Sequence, residues 1–212
     1  MASAQDIADM LPLPVLQGER CLLRALAAPD APSLRRHADN PNVWFNLFEG
    51  FPSPYLDEHA RAWCEREAGS GQFGYVWGIV ADGEVVGCIA LEPELRAAGV
   101  RCNAEIGYWI GESFWRRGIA SDAVRQVVDW AFAALPALTR IHAPIYARSA
   151  GSQAVVRRCG FVQEGVMRAS RIKAGEVIDC VSWAVIRPAC AARPANIDLA
   201  LASSVDVAME RP

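Results

Sequence analysis

Lysine is almost missing from this chain: Lys173 is the single one among 21 basic residues. The basic residues stand against 24 acidic ones, both spread along the chain for a net charge of −3. That spread leaves no basic stripe for nucleic acid and no polybasic cluster for an anionic membrane surface. No apolar run approaches the ~18 residues that a membrane-spanning helix needs. The first sixteen residues carry Asp6 and Asp9 and lack a basic start and an apolar stretch, so they do not read as a secretory signal. Histidine is scarce too. His37, His59 and His142 are far apart, and the seven cysteines contain no C-x-x-C or Cys/His spacing, which argues against a zinc site. An odd, scattered set of cysteines suits reduced core thiols in a cytoplasmic protein. Serine, cysteine and histidine form no nucleophilic pattern, and neither G-x-x-x-x-G-K-S/T nor G-x-G-x-x-G is present, which excludes the usual nucleotide loops.

What is present suits one sizeable domain of 212 residues, 52% of them hydrophobic. Arg20 to Leu26 predicts a first strand. A helix follows, with Asp30 as N-cap, Pro32 in its first turn and Asn40-Pro41 closing it. Phe45 to Tyr55 is aromatic and rich in Pro and Gly, either a flap facing a substrate or a packed loop. Asp57 to Glu67 reads as a helix stopping near Gly69. Gln72 to Val80 and Glu84 to Leu91 are strands joined at Asp82-Gly83, a strong hairpin signal. A second turn near Ala97-Ala98-Gly99 leads to a fourth strand, Arg101 to Ile110. Val124, Val127, Val128, Ala131, Phe132 and Leu135 then line one face of a helix that Pro136 ends. A fifth strand (Arg140 to Ala147), a helix (Ser152 to Cys159) and two closing strands (Phe161 to Arg171, Glu176 to Val185) complete the domain. Pro144 conflicts with a central strand unless that strand splays from its neighbour there. The Ala-rich tail from Pro188 to Pro212 is a loosely attached extension or a docking arm for a second subunit.

The most informative stretch is Ile106-Gly107-Tyr108-Trp109-Ile110, followed by Trp115-Arg116-Arg117-Gly118-Ile119-Ala120-Ser121 and the amphipathic helix. A strand feeding a helix through small residues and arginines exposes unpaired amides at the positive end of the helix dipole, a place for a pyrophosphate. Alternatively, Gly118 and Ala120 only permit close helix-to-sheet packing. In this order of elements the chain resembles the GNAT acetyltransferase superfamily, whose pyrophosphate motif reads Gln/Arg-x-x-Gly-x-Gly/Ala at the start of the central helix. Within it the chain is similar to the ribosomal-protein N-terminal acetyltransferase (RimJ/RimL-like) branch. The landmarks are Leu22-Leu23-Arg24, Ser53-Pro54-Tyr55 with Trp63, Glu105 to Trp109, Cys159-Gly160-Phe161, Glu164-Gly165 with Arg168, and Asp179. Two positions depart from the pattern: Trp115 stands at the first motif position, and Ser149 stands where the family has Asn.

The resemblance implies an α/β (α+β) fold, with a mostly antiparallel sheet flanked by helices and its fourth and fifth strands splayed. It implies an N-terminal extension (1–14), an acetyltransferase domain (15–187) and the tail (188–212). It also implies acetyl transfer from acetyl-CoA to a primary amine, a protein N-terminal α-amine or a small-molecule amine, with CoA as cosubstrate and no metal. The expected CoA contacts are Trp109, Ile110, Arg116, Arg117, Gly118, Ile119, Ala120, Ser121 and Ser149, with an oxyanion donor at the amide of Trp109 or Ile110. Glu105 is the candidate base, on one strand face with Gly107 and Trp109; its alternative is a structural carboxylate. Ser152 either protonates the departing thiolate or caps its helix. A non-catalytic acyl-CoA sensor is the competing reading of the whole.

Overall fold

The computed structural model describes residues 11–69, 74–94 and 102–191. The first ten residues, the predicted turn at Ala97-Ala98-Gly99 and the tail beyond 191 lie outside the described residues. Eight strands form one sheet: β1 (Leu16–Gln17), β2 (Leu22–Arg24), β3 (Tyr75–Ala81), β4 (Glu84–Pro93), β5 (Asn103–Ile110), β6 (Arg140–Tyr146), β7 (Val162–Lys173) and β8 (Glu176–Ile186). Their spatial order is β1-β2-β3-β4-β5-β6-β8-β7. Every neighbouring pair is antiparallel except β5 and β6.

The β3–β4 hairpin turns at Asp82 (φ 52°) and Gly83 (φ 85°), two successive left-handed residues that match the twist of the strands they join. A bulge nearby pairs Ile79 with Gly87 and Val80 with Val85. The extra residue, Val86, resets the alternation, so Val85 and Cys88 reach one core while Val86 and Ile89 reach the other.

Helices cover both faces. The long α4 (Ile119–Ala134) buries Val124, Val127, Val128 and Ala131 against Ile106, Ile110 and Ile141, and α5 (Ala150–Arg158) adds Val156. At the far end of the same core Trp130 meets the rings of Tyr75 and Trp77 edge-on, at 4.8 and 5.3 Å between centroids. On the opposite face α1 (Ala31–Ala38) and α3 (Asp57–Gly69) pack Leu34, Ala38, Ala60 and Cys64 on Val85 and Cys88. The pattern expected from the sequence is borne out: a mixed, mostly antiparallel sheet between helices.

One local expectation is corrected. Asp30 does not cap α1; its carboxylate takes both ends of the Arg24 guanidinium, at 2.7 and 2.8 Å, and the Ala27 amide at 2.8 Å. Its hydrogen bonds to Arg24 hold this buried carboxyl below its usual range, against the desolvation that would raise it. Bidentate guanidinium pairing and a backbone donor outcompete a bare helix end. Within the stretch after Asn40, Pro41–Phe45 forms a short helix, α2, whose N-cap is Asn40, accepting from the amides of Asn42 and Val43.

β5 and β6 pair over only three positions, Asn103 with Arg140, Ala104 with Ile141 and Glu105 with His142. Beyond them the strands part, while β6 stays paired with β8 to its end. The Ala147 amide bonds to Asp179 on the β8 side, so by strand alternation the nitrogen of Pro144 faces the gap. Proline therefore removes no ladder bond, because its missing donor falls where the sheet is open.

The C-terminal end of α4 is closed by a distant side chain. Arg187 donates to the carbonyls of Phe132 (2.5 Å), Leu135 (2.7 Å) and Leu138 (2.8 Å); the first is an orphan acceptor of the helix end and the other two belong to the turn that follows. Arg187→Met is expected to cost about 2 kcal/mol, lowering the melting temperature by roughly 4–8 °C in a calorimetric scan. An unchanged melting temperature would show the cap to be idle.

Candidate active site

The first part of the site is the start of α4. Arg116 and Gly118 both take left-handed backbone, at φ 63° and 79°, and curl the chain before the helix begins. Such alternation gathers successive amides into a concavity that favours anions. Among the described residues no acceptor engages the amides of Arg116 to Ser121; the first helical bond here runs from Asp122 to Gly118, at 3.0 Å. Glu19, Arg20, Arg117 and Ile119 line a groove beside these amides. Arg20 is held there by a buried carboxylate: Asp122 accepts from the amides of Arg20 (2.9 Å) and Cys21 (3.2 Å). The Arg20 side chain lies across Gly118, where a Cβ would stand 3.0 Å from its Cδ and Nε. The Arg117 guanidinium is taken by Asp82 at 2.9 Å and sits 4.9 Å over the Phe114 ring, so its main chain, rather than its charge, is what remains free.

The second part is the gap between β5 and β6. The Gly111 amide bonds to Val86 on β4, which by alternation turns the Trp109 amide to β4 as well and the Ile110 amide to the gap. Of the two oxyanion donors the sequence allowed, the ladder leaves Ile110. Trp109 instead offers its ring, packed 6.0 Å from Phe51 beside the α1–α3 core.

Glu105 stands at the mouth of the gap, on the face opposite the buried Ala104 and Ile106. Burial pushes its carboxyl above the ordinary glutamate value; the positive charges of His142 and Arg171 oppose this and Glu94 adds to it. Among the described residues it has no hydrogen-bond or ion-pair partner. Its neighbour His142 bonds instead to Glu94, at 2.9 Å, and Asn103 approaches the other Glu94 oxygen at 3.3 Å. Despite desolvation, these bonds bring the Glu94 carboxyl below its usual range.

The N-cap position expected at Ser152 falls to Ser149. The helix begins at Ala150; Ser149 is buried and makes no side-chain capping bond, while Ser152 lies inside the first turn. The backbone carbonyl of Ser152 accepts the Tyr108 hydroxyl at 3.1 Å, and burial drives that phenol's pKa up. The seven cysteines are all free thiols. Burial pushes Cys21 up to about 12 and Cys64 to about 11, values that leave almost no thiolate to act as a nucleophile at neutral pH.

The Phe45–Tyr55 stretch packs over the open face of the gap. Tyr146 donates to Leu47 O (3.2 Å), Arg148 to Phe45 O (2.8 Å) and Lys173 to Phe48 O (3.1 Å). Phe48 nevertheless stays 63% exposed. His142, Tyr146, Arg148, Arg171 and Lys173 thus join the site from beyond residue 140. Sequence reasoning gives none of these five a role in the site; beyond residue 140 it singles out Ser149 and Ser152 as site residues and Arg168 and Asp179 among the landmarks.

A profile of the acetyltransferase (GNAT) domain matches residues 20–162. The chain is a GNAT-family N-acetyltransferase. Its relatives include YoaA of Bacillus subtilis (strain 168), named an uncharacterized N-acetyltransferase, 29% identical over 179 residues that make up 82% of this chain and 98% of that one. Among solved structures, the ribosomal L7/L12 alpha-N-protein acetyltransferase RimL, in complex with coenzyme A, superposes with a TM-score of 0.69 at 23% identity, over 82% of this chain and 98% of that one. The Microcin C7 self immunity acetyltransferase MccE, in complex with acetyl-CoA and AMP, does so with a TM-score of 0.71 at 18% identity, over 84% and 99%. At these identities the two establish the acetyltransferase fold. Among the described residues there is no cluster of three or more His, Cys, Asp or Glu able to hold a metal, and no helix is long and apolar enough to cross a membrane.

The carboxylate at the mouth yields a prediction with a definite sign. The folded acetyltransferase binds the Glu105 proton more tightly than the unfolded chain does. Glu105 therefore lowers stability at neutral pH, and that loss is recovered as pH falls through its raised pKa toward the ordinary 4.5. Glu105→Gln should leave the melting temperature at pH 7 unchanged or higher, with the difference shrinking near pH 4.5. A fall of several degrees at neutral pH would instead mark a structural carboxylate.

Proposed function

We propose that this N-acetyltransferase takes acetyl-CoA as its donor and passes the acetyl group directly to a primary amine. The observation that carries the reading is the run of unengaged amides from Arg116 to Ser121 beside Arg20. Six free donors at the positive end of a sixteen-residue helix suit the diphosphate of CoA, by charge and by hydrogen bonding. Arg116, Arg117, Gly118, Ile119, Ala120 and Ser121 supply these contacts through the main chain, so Trp115 at the first motif position leaves them intact. CoA in the RimL complex and acetyl-CoA in the MccE complex support the choice of donor.

From there the pantetheine arm runs along the gap, past Trp109 and Ile110 toward Glu105, roughly 17 Å of extended strand. Ser149 lies on the α5 side of this path. The thioester carbonyl oxygen meets the Ile110 amide, which strengthens its bond as the oxygen becomes an anion. Glu105 takes the proton from the acceptor ammonium, the amine nitrogen attacks the carbonyl carbon, and the carbon–sulfur bond breaks. The adduct nitrogen, now cationic, sheds its second proton, and the departing thiolate takes it up through the Ser152 hydroxyl or a water. Having no partner to satisfy it, Glu105 is available as a base, and its raised pKa brings it nearer the working pH. An α-amine, with pKa ~7.7–8.0, is ~10% neutral at pH 7, against ~0.04% for a lysine side chain. Such arithmetic favours a protein N-terminal α-amine, in keeping with the ribosomal branch and with RimL's own substrate, or a small-molecule amine of similar basicity. Unpaired thiols throughout suit the cytoplasm.

Following free thiol release from acetyl-CoA over a panel of N-terminal peptides and small amines tests this. Transfer is expected on at least one acceptor, slowed about 10²–10⁴-fold by Glu105→Gln with little change in acetyl-CoA affinity. Gly118→Asp, which sets a side chain and a negative charge among the donors, should abolish acetyl-CoA binding in calorimetry. Binding without thiol release on any acceptor would identify a CoA sensor instead.

A further inference from the structure

β7, the edge strand that lies beyond β6 and β8 from the gap, departs from regular pairing. It loses register with β8 between Met167 and Arg171, and Ala169 within this bulge has φ 51°. The distortion is pinned: the Ala169 amide donates to Asp179 Oδ1 at 2.8 Å, and the Ser170 hydroxyl to Met167 O at 3.0 Å. A bulge re-aims the side chains that follow it and persists only where the surroundings hold it. Here it presents Arg168 and Arg171, both exposed. Among the described residues neither has an acidic partner; Arg171 bonds only to the carbonyl of Ser170, at 2.9 Å. Register puts Arg171 on the sheet face of Glu105: Glu105 pairs with His142, Tyr146 with Cys180 and Arg171 with Ile178, and paired residues share a face while alternate residues of a strand return to it. The charge of Arg171 acts on both Glu105 and Tyr146.

The other charges on that face are matched or engaged. Glu94 is held by His142 and Asn103. Arg148 has Phe45 O and, at 3.7 Å, Glu176. Lys173 has Phe48 O and the Trp44 ring, at 3.8 Å. Glu49 accepts the Ala174 amide at 3.1 Å. Arg168, on the bulge, has no acidic partner among the described residues, and Glu105 and Arg171 are the opposite charges that share one face without a hydrogen-bonded or ion-paired countercharge there. A site is complementary to what neutralises it, and these two together suit a molecule with an ammonium at one point and an anion at another.

We propose that the acceptor of this enzyme is an amine that also carries an anionic group, a carboxylate or a phosphate, which Arg171 receives while the amine is delivered to Glu105. This rests on the acetyl-transfer reading above and narrows its acceptor. A polyamine is disfavoured, because its further ammonium groups would meet the exposed Arg171 guanidinium. The anion has two sources, an acidic side chain near the N-terminus of a peptide or the acid group of a small amino compound, and Arg171 serves either through the same charge-assisted hydrogen bonds.

Thiol release by the full-length enzyme is measured on matched pairs: peptides with Asp or Asn, and Glu or Gln, in the first three positions; free amino acids and their amides; and spermidine. The anionic member of at least one pair is expected to be preferred by about tenfold or more in kcat/KM, mainly through KM, and spermidine to be the poorest acceptor. Whether the favoured pair is a peptide or an amino acid identifies the source. Arg171→Gln is expected to raise KM for the anionic acceptor about tenfold with kcat moving less, and Arg171→Lys to recover part of that loss, a split that a merely structural residue would not produce. Equal rates within every pair, a best acceptor that is polycationic, or a preference that survives Arg171→Gln would each overturn the proposal. Calorimetry with acetyl-CoA on the same preparations separates the two levels. An enzyme that binds donor and transfers without regard to the anion refutes this inference alone, whereas one that binds no acetyl-CoA removes the transfer reading and this inference with it.

Discussion

The structure depends on the early parting of β5 and β6. Their parallel pairing ends after Glu105 and His142, although β6 continues for four further residues against β8. A sheet that opens in its middle leaves backbone donors and acceptors on two facing edges, and such groups are rarely left unpaired away from water. The opening is compatible with the sequence because Pro144 has no donor to lose on that edge, and because each strand stays anchored on its other side, β5 by β4 and β6 by β8. What would weaken an ordinary sheet leaves a slot edged by backbone donors and acceptors, the place proposed above for the pantetheine arm.

One strand therefore links both halves of the site. β5 ends at Ile110, and a single turn of 3₁₀ helix, Glu112–Phe114, carries the chain to the free amides that precede α4. The anion-binding end is electropositive through main-chain donors and Arg20. The other end holds an isolated carboxylate whose burial is unfavourable at neutral pH. A charge kept buried without a partner is a stability cost, and such costs tend to collect where chemistry or binding requires them.

The flanking elements set which molecules reach that carboxylate. Trp44, Phe45 and Phe48, drawn in by Lys173, Arg148 and Tyr146, roof the open face, and the pinned bulge on β7 adds free guanidinium groups. Lys173, the chain's single lysine, is fully buried and serves as a staple; its pKa is lowered by desolvation, with Arg148 adding to that and Glu49 opposing it.

Much of this was legible in the chain itself, because it is encoded over short distances. Asp82-Gly83 demands left-handed backbone, Val124 to Leu135 repeat at helical spacing, and the small residues after Trp115 mark a helix start with open amides. Pro144 even announced the splay. Local rules failed where a distant partner won: Arg24 drew Asp30 away from capping α1, and the turn after Tyr146 moved the start of α5, handing the N-cap position from Ser152 to Ser149. His142, Arg171 and Glu94 show no local pattern at all, since a side chain brought across a sheet leaves no periodic trace. The sequence alone thus determined the order of elements, the family and the left-handed turn that opens α4, all products of neighbouring residues acting on their own backbone. Tertiary structure decided which amide faces the gap, which charges are left without partners and what surrounds Glu105, because register, burial and electrostatic pairing exist only once strands far apart in the chain lie side by side.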